Sequence, residues 1–172
     1  MAEFNNLITT SKGQALFADA IANNKTIKFI SVKTSETIYQ ENQILTLEQL
    51  ENPKQTVEIA RISKLNDTQI EIEAVIQNTE ITEGYMINTI GLYAKINEED
   101  SEEVLYAVAS ISEEGKGAYL PPFNNITVAG MNFKINVNVS STTNVDFTVN
   151  PATPVTHQDF INFINNSRNT YK

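Results

Sequence analysis

Hydrophobic and polar residues alternate with a period of two along much of this chain. Residues 68–77 and residues 131–140 show the alternation over their whole length, and Val145, Phe147 and Val149 repeat it after a turn. Such alternation is typical of antiparallel strands that have one face on a core and the other in water. The pattern predicts a mainly β protein (α+β class), folded as an antiparallel β-sandwich or an open barrel.

Other segments are predicted as strands although they do not alternate cleanly. Residues 84–96 and 104–111 are apolar on both faces, which is typical of central or doubly covered strands. Residues 56–65 change phase, so we expect a bulge or a bend near Ala60 and Arg61. The glycines and prolines of residues 112–130 predict a long connection or a projecting loop.

Near the N-terminus the hydrophobic period changes to that of a helix. Ser11 and Gln14 have the spacing of a capping box with Ser11 at the N-cap, and an apolar stripe follows at Leu16, Phe17, Ala20 and Ile21. We expect this helix to pack on the sheet. Gly13 lies in its first turn, where a glycine costs about 1 kcal/mol relative to alanine, so we expect a close packing contact there. A second, brief helical turn is expected to open at Thr46, with Gln49 at capping-box spacing.

Prolines mark a boundary close to residue 150. We divide the chain into a β-rich domain at residues 1–150, which includes the N-terminal helix, and a C-terminal linker and helix at residues 151–172. Thr156 is the expected N-cap of that short C-terminal helix, and Val155 and Phe160 have the spacing of a hydrophobic staple.

The C-terminal helix carries a dense apolar stripe. Phe160, Phe163 and Ile164 stand at positions i, i+3 and i+4, and a helix of about four turns is marginal in water by itself. It therefore needs a surface to lie on. That surface is either the chain's own β domain or the same helix of further copies in a three-fold bundle.

Composition removes several kinds of chemistry. The 172 residues include no Cys and one His, which excludes zinc sites, iron–sulfur clusters and cysteine nucleophiles. With 21 acidic and 12 basic residues the formal net charge is −9, a poor match for a phosphate backbone. No apolar run approaches the roughly 20 residues of a membrane span, and no secretory signal is present. We expect no cofactor, no metal, no nucleic-acid partner and no membrane insertion.

No residue pattern predicts catalysis. His157 stands in the first turn of the C-terminal helix, and the chain has no Gly-x-Ser-x-Gly motif to pair with it. Glu71 and Glu73 have the spacing of paired carboxylates, but on an alternating strand we interpret them as its water-facing side. The acidic residues 98–103 lack the spacing of a calcium loop and are interpreted as a solvated hairpin tip. We expect a protein that is not an enzyme, with no catalytic residues.

Four residues of the 112–130 connection are candidates for an exposed contact surface: Tyr119, Pro121, Pro122 and Phe123. The prolines lower the entropy cost of ordering such a surface on binding. Tyr85 and Tyr93 are interpreted as core residues. Exposed aromatic rings also stack on sugars, so a carbohydrate-binding module that contacts cell-wall glycans is an alternative.

Several stretches are similar to one known family. Residues 78–94, which read Asn-Thr-Glu-Ile-Thr-Glu-Gly-Tyr-Met-Ile-Asn-Thr-Ile-Gly-Leu-Tyr-Ala, resemble the signature stretch of the phage tail-collar fibre family. Residues 8–16, 104–108 and 119–124 resemble it as well, so that the resemblance covers about residues 8–155. These are the N-terminal domains of tail-fibre and baseplate proteins in phages and prophages of Gram-positive hosts.

The resemblance implies a structural role in a virion. It leads us to expect a protein made in the bacterial cytoplasm and located in a phage tail, a baseplate or a phage-tail-like particle. The expected partners are other tail or baseplate proteins and further copies of the chain, as a homotrimer. The candidate contact residues are then Val155, Phe160, Phe163 and Ile164 in the C-terminal helix together with Tyr119, Pro121, Pro122 and Phe123. The chain is either the attachment domain of a longer fibre or a short protein that bridges components.

Overall fold

Eleven strands and two helices form in the part of the chain that the computed structural model describes, which is residues 3–99, 101–139 and 144–146. The elements are β1 (Ile8–Thr9), α1 (Ser11–Ala22), β2 (Thr26–Ser35), α2 (Glu41–Thr46), β3 (Pro53–Glu58), β4 (Arg61–Asn66), β5 (Gln69–Gln77), β6 (Tyr85–Ile87), β7 (Thr89–Ile96), β8 (Val104–Ser110), β9 (Ala118–Leu120), β10 (Gly130–Asn138) and β11 (Asn144–Asp146). The predicted C-terminal helix, with His157, lies outside the described residues.

These strands make three sheets. The largest has the order β1-β8-β7-β2-β11, with β3 also paired to β2; the second has the order β10-β5-β4, and the third is the pair β6-β9. The pairing is antiparallel except for β11, which runs parallel to β2. The prediction of a mainly β protein with antiparallel sheets is confirmed, and the described strands do not close into a barrel.

The main hydrophobic core joins the six-stranded sheet to the three-stranded one. Alternation along β5 places its isoleucines in this core, and the register between β5 and β10 is unbroken from Gly130↔Gln77 to Asn138↔Gln69. A smaller cluster lies beside α2 and includes Ile44, Leu50, Tyr93 and Leu105. The strongest alternation in the sequence therefore corresponds to the second layer of a sandwich.

Helix α1 confirms the predicted packing role of Gly13 and corrects its N-cap. Thr10, not Ser11, is the N-cap, because its buried side chain accepts a hydrogen bond from Gly13 N at 3.0 Å. The Ser11 hydroxyl instead donates to the carbonyl of Leu45 at 2.7 Å. A Cβ atom at Gly13 would overlap the backbone carbonyl of Tyr106, so the absence of a side chain lets α1 lie directly on β8.

Helix α2 ends at Thr46, the residue at which the sequence predicted a helical turn to begin. Gln40 and Gln43 form a reciprocal capping box, which starts the helix at Glu41, and Thr46 is its last residue. Gln40 and Gln43 have the same spacing as the Thr46–Gln49 pair on which the prediction rested. Tertiary packing selects the Gln40–Gln43 pair as the start of the helix, because Ile44 is then buried in the cluster beside α2.

Two predicted strands are each divided in the structure. The phase change near Ala60 is a passage between sheets: β3 pairs with β2 in the large sheet, whereas β4 pairs with β5 in the three-stranded sheet. Residues 84–96 form β6 and β7 with a break at Asn88. The Asn88 side chain donates to the carbonyl of Glu36 at 2.7 Å, where the chain leaves the β6-β9 pair for the large sheet.

Candidate interaction surface

The four predicted contact residues of the connection lie in one projecting segment. Tyr119 stands on β9 with 56% of its surface exposed, Pro122 is exposed, and Pro121 and Phe123 are half-buried. Val155, Phe160, Phe163 and Ile164 fall outside the described residues. We call residues 119–128 the docking segment.

Strand β9 fixes the start of the docking segment. It pairs with β6, and Tyr119 lies opposite Met86. The Tyr119 ring packs over Gly84, where a Cβ atom would overlap the tyrosine hydroxyl group and come within 2.9 Å of Pro122 Cδ. The glycine in this position therefore lets an otherwise exposed tyrosine rest on the backbone of the preceding turn.

A buried asparagine fixes both ends of the projecting chain. Asn78 is 1% exposed; its Nδ2 donates to the carbonyl of Pro121 at 3.0 Å and its Oδ1 accepts from the amide of Ala129 at 2.9 Å. The amide of Phe123 also donates to the carbonyl of Ile81 at 2.8 Å. Asn78 is the first residue of the stretch that resembles a known family, but its role was not predicted.

The tip of the docking segment is ordered by a side chain of its own. Asn124 Oδ1 accepts hydrogen bonds from the amides of Ile126 and Thr127 at 3.0 and 2.8 Å, and Asn125 has a φ of 62°. This turn presents Ile126 and Val128 to solvent, with 87% and 50% of their surfaces exposed. Sequence reasoning missed both residues, although the run 117–133 has no charged residue in a strongly acidic chain.

The other aromatic rings considered for sugar binding are buried. Tyr85 donates to Gln55 Oε1 at 2.7 Å and its oxygen lies 2.8 Å from Thr34 Oγ1, while the Tyr93 oxygen accepts from the amide of Leu50 at 3.3 Å. Burial raises the pKa of both tyrosines above the usual value. They occupy different strands, β6 and β7, and serve the fold.

Alkaline pH is expected to weaken the fold through Tyr106. Desolvation raises its pKa to about 12, against 10.0 for a tyrosine in water. The unfolded chain loses this proton first, so stability is full below about pH 10 and falls by about 3 kcal/mol as the pH rises through 12. Urea denaturation at pH 9 and pH 11.5 measures the loss. A Tyr106→Phe variant should lose markedly less stability between these pH values; an equal loss would contradict the assignment.

Glu71 and Glu73 on β5 were predicted to face water, and this prediction is wrong for Glu73. Glu73 is 2% exposed, with Arg61 Nη2 at 2.7 Å from its Oε2 and the Asn132 amide donating to its Oε1. Glu71 is half-buried and lies 3.5 Å from Lys134 Nζ. Each carboxylate therefore lies beside a different cation on a neighbouring strand, and the two ion pairs link β5 to β4 and to β10. The prediction missed the burial because the Arg61 contact comes from a different strand.

The described residues line several cavities. One cavity of about 600 Å³ is lined by Glu48, Glu51 and Glu103, with Lys33 Nζ 4.0 Å above the Tyr93 ring. No group of three or more His, Cys, Asp or Glu side chains in the described part of the chain is placed to hold a metal ion. None of the described helices has the length and apolar character needed to cross a membrane.

Comparison with known proteins identifies one family. The family model described as "Phage tail-collar fibre protein, N-terminal" matches residues 1–159, which is most of the chain. Neither curated proteins nor solved structures give a match.

Proposed function

Because the chain belongs to the phage tail-collar fibre family, we propose that it is a tail-fibre attachment module that connects fibre or baseplate components. Membership of the family makes it a structural tail-fibre protein and a component of the virion, associated with other tail components. The match over residues 1–159 carries the proposal.

The docking segment supports an attachment role. It is fixed at both ends by Asn78 and at its tip by Asn124, yet Tyr119, Ile126 and Val128 are exposed. An apolar surface that is already ordered loses little entropy when a partner covers it. Since the segment carries no charge, a neighbouring protein can cover it without burying an unpaired ion.

We further propose two parts with different roles. Residues 1–150 form the attachment domain, and residues 151–172 form the linker and helix through which copies associate as a homotrimer. The support is the sequence pattern of the helix, with Val155 and Phe160 as its staple and Phe163 and Ile164 on the same stripe. Three copies bury an apolar stripe that a single short helix leaves in water.

A charge placed on the apolar stripe should dissociate the trimer. We expect Phe163→Asp to reduce the mass measured by light scattering from three chains to one, since an unpaired carboxylate cannot be buried in the bundle at low cost. The matched control is Asn162→Asp, which adds the same charge beside the stripe and should leave the mass unchanged. Circular dichroism should show the same β content in both variants.

Two results would contradict this proposal. A monomeric parent protein at high concentration would exclude the homotrimer, and loss of β structure in Phe163→Asp would show that the helix belongs to the core of its own domain. The carbohydrate-binding alternative makes a different prediction, which is glycan binding that disappears in Tyr119→Ala. Among the described residues, Tyr119 is the one aromatic with more than half its surface exposed, which favours a protein partner over a stacked sugar.

A further inference from the structure

Another largely apolar surface of the molecule, with no acidic residue in its lining, is a cleft beside β10. It has a volume of about 310 Å³ and lies between the N-terminal residues and β10, with Phe4, Leu7, Phe133 and Ile135 among its lining residues. The rings of Phe4 and Phe133 meet edge to face with their centroids 5.7 Å apart. Lys134 is the charged residue in the lining, and no carboxylate contributes to it.

We propose that the tip of the docking segment of one copy, Ile126 and Val128, inserts into the β10 cleft of a second copy. This inference rests on the proposed assembly of copies and names the surfaces through which their β domains meet. The occupant of the cleft is a second copy of this chain.

Charge favours this pairing over the alternatives on the same molecule. The cavity of about 600 Å³ is lined by Glu48, Glu51 and Glu103, and a third cavity of about 230 Å³ is lined by Glu36, Glu80 and Glu83. Covering those carboxylates with an apolar tip removes their hydration and gives nothing in return. Copies that each carry a charge of −9 repel one another, so contact is least opposed where both surfaces lack acids.

Backbone geometry favours a polypeptide as the occupant. The amide of Val139 donates to the carbonyl of Thr68, so Val139 is hydrogen-bonded to the strand opposite. In an antiparallel pair every second residue is bonded in this way, so the residues of β10 at even-numbered positions are not hydrogen-bonded to β5. Lys134 and Asn136, at the cleft, consequently direct their backbone N–H and C=O groups away from β5. No other described strand pairs with that edge of β10. The carbonyl groups of residues 125–128 can accept hydrogen bonds from the outward N–H groups of this edge in a neighbouring copy, while the amides of Ile126 and Thr127 keep their bonds to Asn124.

The tip and the cleft are separate patches, which limits the possible symmetry. Gly130 lies just after the docking segment, and Lys134 to Asn136 lie four to six residues further along β10, about 13–20 Å away at 3.3 Å per residue. Copies that exchange tip and cleft reciprocally form a two-fold dimer, whereas a contact made once between each pair of copies is head-to-tail and closes into a ring when the rotation between copies allows. Such a ring is compatible with the trimer proposed for the C-terminal helix.

Cysteine cross-linking of the full chain tests the contact directly. The parent has no Cys, so Ile126→Cys and Asn136→Cys copies, mixed and oxidised, form more disulfide dimer than either variant oxidised alone if these positions meet between copies. We expect that dimer on a non-reducing gel. The matched control replaces Ile126→Cys with Leu65→Cys, whose native side chain is 48% exposed on β4 and which should give no dimer with Asn136→Cys.

A charge variant separates this contact from the helix bundle. In the proposed contact, Ile126→Lys places an ammonium group next to Lys134. We therefore expect the concentration for half-maximal assembly to rise about tenfold. The rise should be the same in the full chain and in chains that lack residues 155–172. Leu65→Lys should leave both values unchanged. If these truncated chains do not fold, the full-chain comparison and the cross-link decide.

Each other outcome overturns the proposal in a recognisable way. A full chain that assembles by light scattering without the Ile126–Asn136 cross-link overturns the contact and leaves the proposed function standing. A chain that stays monomeric overturns both. A cross-link from Asn136→Cys to Phe163→Cys in place of Ile126→Cys assigns the cleft to the C-terminal segment and overturns the proposal as well.

Discussion

Replacing Arg61 with methionine is expected to lower the free energy of unfolding by about 3–5 kcal/mol, because it leaves a buried carboxylate without its cation. Glu73 is 2% exposed and the Arg61 side chain 20% exposed, with 2.7 Å between the guanidinium and the carboxylate. Methionine retains much of the apolar stem that packs on the sheet. Urea denaturation at pH 7, followed by circular dichroism, measures the change.

The matched control is the ion pair on the neighbouring residue of the same strand face. Lys134 lies 3.5 Å from Glu71, with side-chain exposures of 52% and 19%, and Lys134→Met should cost at most about 1 kcal/mol. Adding Glu73→Leu to Arg61→Met should recover most of the lost stability, since the double variant no longer buries the Glu73 carboxylate. Equal costs for Arg61→Met and Lys134→Met would show that burial of Glu73 does not control the energy of this pair.

Local periodicity was sufficient to predict the two strands β5 and β10. Alternation marks which residues face the core, and the strands pair in full register over nine residues. What periodicity does not determine is the partner of each strand. The passage from β3 to β4 between sheets, the parallel placement of β11 and the burial of Glu73 all depend on contacts between residues far apart in the sequence.

The candidate surface was predicted in part for a related reason. Glycines and prolines indicate a projecting connection, and the structure places Tyr119 and Pro122 at its surface, with Pro121 and Phe123 half-buried. The exposure of Ile126 and Val128 could not be predicted from the sequence, because it depends on the turn that the Asn124 side chain forms. Asn78 is 43 residues from Pro121 and 51 from Ala129, so its contacts have no local signal in the sequence.

Asn78 therefore carries the second prediction, which concerns the docking segment itself. Asn78→Ala removes one hydrogen bond at each end of the segment and leaves the Pro121 carbonyl and the Ala129 amide without their partner. We expect a loss of about 2–4 kcal/mol in the free energy of unfolding, since a hydrogen-bonding group left unsatisfied costs about 1–3 kcal/mol. Urea denaturation measures the loss, and hydrogen exchange at the Ala129 amide should become faster than in the parent.

Asn124→Ala is the matched control, because it removes two hydrogen bonds from the same segment at its exposed tip. Water can replace those bonds, so the expected loss of stability is at most about 1 kcal/mol, with unchanged exchange at Ala129. Both variants should weaken assembly, since an unordered segment must be ordered on binding. The two measurements then separate the parts of the segment: Asn78 holds the segment to the domain, and Asn124 shapes the surface it presents. If Asn124→Ala costs as much stability as Asn78→Ala, the fixed base assigned to Asn78 is wrong.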